Sequence, residues 1–191
     1  IEADGQDDGR RIAARTETVG QAAARESVLL NPLPGNAFRV AAALSCRVDA
    51  KARICVRQSY YSVPARVAGR RVDVSLGSDW IEVRHDGAVI ARHDRSLHKG
   101  SEDLVLDHYL DVLTHRPGAF AGATALVAAR AAGTFTEGHQ RFWDTARRRV
   151  GDRDGTKALI GVLLLHRTLP TEAVLAGMAA ALMVSRCEPD L

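Results

Sequence analysis

The stretch RVDVSLGSDWIEVRHDGAVI, Arg71–Ile90, decides how the chain folds. Val72, Val74 and Leu76 alternate with Asp73 and Ser75, the period of a strand that buries one face. Gly77-Ser78-Asp79 marks a turn before Trp80, Ile81 and Val83 then alternate with Glu82 and Arg84, and Asp86-Gly87 is a two-residue hairpin signal leading to Val89 and Ile90. Toward the N-terminus, Val48 alternates with Arg47 and Asp49, and Ile54 and Val56 with Arg53 and Arg57. Tyr61 and Val63 continue on the opposite parity, which predicts a bulge. Four or five short strands between Cys46 and His93 predict a small antiparallel β-barrel of the SH3-like kind.

Beyond His98-Lys99-Gly100 the period becomes helical. Ser101, followed by Glu102 and Asp103, reads as an N-cap with acids in the first turn, and Leu106, Tyr109, Leu110 and Leu113 fall on one face. Arg116-Pro117-Gly118 ends that helix, and a second covers about 122–132 before Gly133. A third starts at Thr136 and turns Phe142, Trp143, Ala146 and Val150 inward; 155–168 and 171–186 are further helices, separated by Leu169-Pro170. On the N-terminal side, residues 1 to about 30 favour helix but are interrupted by Gly5, Gly9 and Gly20, and NPLPGNAF, 31–38, reads as an extended connector. The fold class is therefore α+β: a helical linker and connector over 1–45, a barrel over 46–99 and a helical bundle over 100–191.

Of the 191 residues 46% are hydrophobic and 26% charged, enough to bury a core. No apolar run is long enough for a membrane span, so no membrane partner is expected. Three cysteines, Cys46, Cys55 and Cys187, are odd in number and lack paired spacing, which argues against a disulfide framework or a zinc site and fits a reducing cytoplasm. Asp4, Asp7 and Asp8 cluster in the linker without a strand to present them, and no residue of the chain is assigned a catalytic role.

The net charge of +3 is unevenly spread. From Lys51 to Lys99 there are ten Lys/Arg and five Asp/Glu, a balance of +5, whereas the remaining residues hold sixteen and eighteen, a balance of -2. Six cations, Lys51, Arg53, Arg57, Arg66, Arg70 and Arg71, fall within 21 residues that contain no acid. A barrel this small cannot hide them, so they are solvated or bound; with Arg84 and the outward one of Tyr60 and Tyr61, they form the candidate nucleic-acid surface. Adjacent strand residues point to opposite faces, so only one tyrosine can be outward. The plainer alternatives are a soluble basic face and two packed β-formers.

Seven histidines, His85, His93, His98, His108, His115, His139 and His166, are scattered over separate elements. His93 and His98 flank Asp94 without a standard ligand spacing, and a polar surface loop accounts for them, so no metal is expected. Arg147-Arg148-Arg149 spread over about 200° of a helix and read as a solvated helix end. The small residues of Thr171–Arg186 permit close helix packing, in the core or against another subunit.

The strings VDAKARICVRQSYYSVPARVAGRRV, IEVRHDGAVIARHDRS, LDHYLDVLTHRPGAFAGATAL and HQRFWDTARRRVGDRDGTKALIGVLLLHRTLP, in that order, resemble the C-terminal part of IS21-family transposases. The resemblance implies a helix-turn-helix region and an RNase H-like core ahead of this segment, so that the chain is expected to be a truncated, non-catalytic piece. It also implies Asp, Asp and Glu residues in that core that hold a divalent metal such as Mg, with no cofactor in this chain. DNA, other copies of the transposase and an AAA+ ATPase helper are the implied partners. A protein-interaction fragment and an inert remnant of a broken element are the alternatives.

Overall fold

The computed structural model describes residues 7–32 and 40–187, with side chains through 184. Asp4, most of the 31–38 connector and the Cys187 side chain lie outside them. The chain divides into two compact units, 1–39 and 40–191. In the first, helix α1 (Val19–Ser27) is fixed by a reciprocal cap: Thr18 Oγ1 accepts from the Gln21 amide, and Gln21 Oε1 accepts from the Thr18 amide. It buries none of its side chains.

The second unit begins with seven strands: β1 (Ala42–Arg47), β2 (Arg53–Val56), β3 (Ser59–Ser62), β4 (Arg71–Leu76), β5 (Trp80–His85), β6 (Ala88–Asp94) and β7 (Glu102–Asp103). The expected barrel is not closed. Its strands form a four-stranded antiparallel sheet in the order β1-β4-β5-β6 and a three-stranded sheet in the order β2-β3-β7, in which β3 and β7 run parallel. Both contribute to one core: Val72, Val74 and Leu76 from β4 and Ile81 and Val83 from β5 meet Ile54, Val56 and Tyr61 from the smaller sheet. Each fully buried aliphatic of this kind contributes about 1.5–3 kcal/mol.

Two tight hairpins set the register. Asp86-Gly87 joins β5 to β6 with φ of 51° and 78°, as the sequence signal requires. The expected bulge before Tyr61 is instead a second hairpin, in which Arg57 and Gln58, with φ of 51° and 68°, join β2 to β3. A change of direction inverts the parity of the buried residues just as a bulge does.

The helices are α2 (Asp107–His115), α3 (Thr124–Ala131), α4 (Glu137–Leu165) and α5 (Thr171–Cys187). Ser101 is not their first cap: Glu102 and Asp103 are drawn into β7 by pairing with Tyr60 and Tyr61, and α2 starts only at Asp107. Thr136 does cap α4, with His139 in the place usually held by Glu or Gln. α4 is broken at Gly151, where φ 84° and ψ 165° are accessible essentially to glycine alone, so its halves are 137–150 and 152–165. Val150, expected inward, is 58% exposed because the chain turns there. Phe120, Leu126, Trp143, Leu159 and Ile160 form the helical core.

Candidate nucleic-acid interface

Strand alternation gives the four-stranded sheet an inner and an outer face. Since Val72, Val74, Ile81 and Val83 point into the core, Arg71, Asp73, Glu82 and Arg84 point away from it. Register then places four arginines obliquely across that outer face. Arg47 lies opposite Arg71; Arg84 lies opposite Asp73, two residues along β4; and Arg92 lies opposite Glu82, two residues farther on. With strands about 4.8 Å apart and two residues advancing about 6.6 Å, the row runs for about 20 Å. Arg47 and Arg71 are exposed, and neither has a carboxylate partner among the described residues. Like charges directly opposite each other weaken a strand pair. This pairing therefore costs the fold stability unless an anion lies against it.

The other end of the row is built around Glu82. Its Oε1 accepts from Arg84 Nε at 3.0 Å and Nη2 at 2.7 Å, and its Oε2 accepts from Arg92 Nε at 3.0 Å. The Arg84 hydrogen bond, reinforced by Arg92, holds the carboxyl below its ordinary range in spite of burial. At the rim, Trp80 lies over Gly77, where a Cβ would sit 2.3 Å from the indole nitrogen, so only glycine allows the indole this position.

The remaining sequence-predicted cations do not share this face. Lys51 is exposed in the turn after β1, and Arg57 occupies the β2–β3 hairpin. Arg66 and Arg70 line a shallow cleft of about 530 Å³ with His85 and Asp86. Arg53 is committed within the protein: its Nε–H donates to Asp49 Oδ2 at 3.0 Å and Nη1 meets Glu102, while its guanidinium covers the Tyr60 ring at 4.6 Å. Burial works against that charge, but Asp49 and Glu102 outweigh it and keep Arg53 more firmly protonated than a free arginine. Tyr61 is 1% exposed and its hydroxyl accepts from the Ser96 amide, so Tyr60 is the outward tyrosine of the pair.

Sequence reasoning did not assign Arg47 or Arg92. Arg47 lies just ahead of the acid-free run and Arg92 beyond it, and only the strand register brings them into line with Arg71 and Arg84.

A buried polar seam joins this sheet region to α2. His93, expected in a surface loop, is in β6 and 6% exposed; its Nε2 donates to the Ser62 carbonyl at 2.7 Å and its Nδ1 faces Asp103 Oδ2 at 2.9 Å. The His93 hydrogen bond, opposed by burial, keeps Asp103 below the ordinary carboxyl range. Ser62 Oγ accepts from the Val105 amide and lies 2.8 Å from His108 Nδ1. Burial, reinforced by His93, lowers His108 to about 4, against opposing Asp107 and Asp103, while Arg167 adds slightly to the lowering. Between pH 6.5 and about 4 the unfolded chain takes up a proton that folded His108 refuses. Stability is therefore full above that window and falls as pH falls through it, by up to about 3 kcal/mol. His139, lowered by burial and by His166, acts in the same direction. Thermal melts should show His108→Asn with a shallower acid dependence than the unsubstituted chain; identical slopes would contradict this assignment.

Comparison with known proteins places this region. Residues 33–104 match the family described as Mu transposase, C-terminal domain. The putative transposase for insertion sequence IS408 of Burkholderia multivorans (strain ATCC 17616 / 249) is 32% identical over 80 residues, covering 42% of this chain and 15% of that protein. The putative transposase for insertion sequence IS1162 of Pseudomonas fluorescens is likewise 32% identical over 80 residues, covering 42% of this chain and 14% of its own length. The chain thus spans about one-seventh of the length of these relatives. No solved structure gives a significant match. Together the matches support a transposase C-terminal region. Among the described residues, no helix is long and apolar enough to cross a membrane.

Proposed function

We propose that this chain is a DNA-binding, non-catalytic C-terminal segment of an IS21-type transposase, and that the outer face of its four-stranded sheet lies against a duplex. The observation that carries this reading is the directly opposed Arg47 and Arg71, without a carboxylate partner among the described residues, continued obliquely by Arg84 and Arg92. Lys51, Arg57, Arg66 and Arg70 lie off this face and add long-range attraction to the same polyanion. Contacts of this kind go to phosphates and carry little sequence choice. The Asp, Asp and Glu set with its divalent metal belongs to an RNase H-like core elsewhere in the parent enzyme. DNA, further transposase subunits and an AAA+ ATPase helper are the partners in this reading, and the site of action is the bacterial cytoplasm, at the nucleoid.

The test is fluorescence anisotropy of a labelled duplex as salt is varied. Three to four phosphates neutralised by the arginine row give a slope of log affinity against log salt of about -2.7 to -3.6. A slope near zero, or no binding at low salt, removes this reading.

A protein-interaction role has its own support in exposed apolar side chains near the cleft between α4 and α5: Val150, Met183 and Val184 are 58%, 63% and 60% exposed. A concentration-dependent oligomer in sedimentation, without DNA binding, favours that role. Absence of both activities favours an inert remnant.

A further inference from the structure

We propose that Arg84 and Arg92 form a seat for a single phosphate group, and that the buried Glu82 is the residue that positions it. The proposal rests on reading the outer sheet face as a DNA-binding surface and adds how part of that surface is organised.

The exposures of the three side chains differ sharply. Glu82 is 5% exposed, while Arg84 and Arg92 are 48% and 71% exposed, so the carboxylate lies beneath the guanidinium groups rather than beside them. Both of its oxygens are occupied, one by Arg84 and the other by Arg92. A guanidinium has five N–H donors. Arg84 commits its Nε–H and one Nη2–H, and Arg92 its Nε–H, so most donors on both residues stay free toward solvent. Two cations on one anion leave a residual positive charge, partly offset by Asp73 opposite Arg84, with both forks fixed from below by the same carboxylate. Planar forks of this kind match the oxygens of a phosphodiester. An ordinary stabilising ion pair would need only one of the two arginines.

The sign of one substitution separates this arrangement from general electrostatics. Glu82→Gln removes a negative charge from the face, so attraction by net charge alone strengthens duplex binding. If Glu82 orients the forks, the same substitution weakens binding by about tenfold, because two long side chains must then be ordered on binding. Anisotropy with the 191-residue chain reads the difference; Glu82→Gln binding as tightly as the unsubstituted chain, or more tightly, overturns the proposal.

If Glu82→Gln fails to fold, Arg84→Lys and Arg92→Lys keep the charge and lose the fork, and each should bind several-fold more weakly; unchanged affinity overturns the proposal. The double variant Arg84→Gln/Arg92→Gln should lower the salt slope by about 0.9, the contribution of one phosphate. A fall of about 1.8 means two separate phosphates and overturns it. If the unsubstituted chain binds no duplex, the DNA reading fails by itself, and the seat is tested by titrating inorganic phosphate against the arginine Nε–H NMR resonances. Shifts at Arg84 and Arg92 that disappear in Glu82→Gln support the seat, and their absence overturns it.

Discussion

Arg71→Glu is expected to leave the fold at least as stable as before while weakening duplex DNA binding by about a hundredfold at low salt. The two effects have one cause. Arg47 and Arg71 are paired directly across β1 and β4, so a glutamate at 71 turns a like-charge pair into an opposite-charge pair, worth about 0.2–1 kcal/mol in a sheet. The same glutamate removes one phosphate contact and engages the arginine that made the next. Charge-assisted hydrogen bonds of this kind are worth about 1.5–3 kcal/mol each, and the salt slope should fall by about 1.8. A thermal melt and an anisotropy titration read the two sides. Weaker binding with a large loss of stability would mean that Arg71 matters to the fold rather than to a ligand.

Gly155→Ala is expected to destabilise the helical part by about 3 kcal/mol or more. A Cβ at 155 would sit 2.5 Å from the Arg147 nitrogen and 2.6 Å from its Cα, and these are backbone atoms that cannot swing aside. The two halves of α4 must separate, which strains the packing. They are also tied by Trp143 Nε1 donating to Thr156 Oγ1 at 2.9 Å, and the Trp143 ring stands edge-on to Phe120 at 5.1 Å between centroids. Loss of that bond leaves a buried indole donor unmatched, at a further cost of about 1–3 kcal/mol. Gly161, later in the same helix, has open space around its Cα, so Gly161→Ala should stabilise by about 0.5–1 kcal/mol. Chemical denaturation of both variants gives the comparison; similar effects of the two alanines would contradict the packing described for α4.

What could be read in the sequence follows from where the deciding interactions lie. The alternation of Val72, Val74, Leu76, Ile81 and Val83 and the Asp86-Gly87 turn are local, and they gave β4, β5 and β6 directly. The Arg57-Gln58 hairpin was hidden because neither residue is a usual occupant of the left-handed region. β7 was mistaken for a helix start because its strand character comes from pairing with Tyr60 and Tyr61, more than 40 residues earlier. Gly151 looked like any glycine within a helical pattern; its role as a corner depends on Gly155 meeting the Arg147 backbone. At the candidate site, charge density and alternation point to Arg71 and Arg84, which share the outer sheet face with Arg47 and Arg92. Arg53 was included by the same reasoning, yet Glu102, 49 residues away, engages it. Arg47 and Arg92 needed cross-strand register, which the sequence does not state.

Arginine-selective NMR of the full chain titrated with a short duplex tests most directly whether DNA lies against the outer face of the four-stranded sheet. The Nε–H resonances of Arg47, Arg71, Arg84 and Arg92 should move together and return as salt is raised, while that of Arg53 stays in place. Movement confined to the arginines of α4, with these four unchanged, would contradict it.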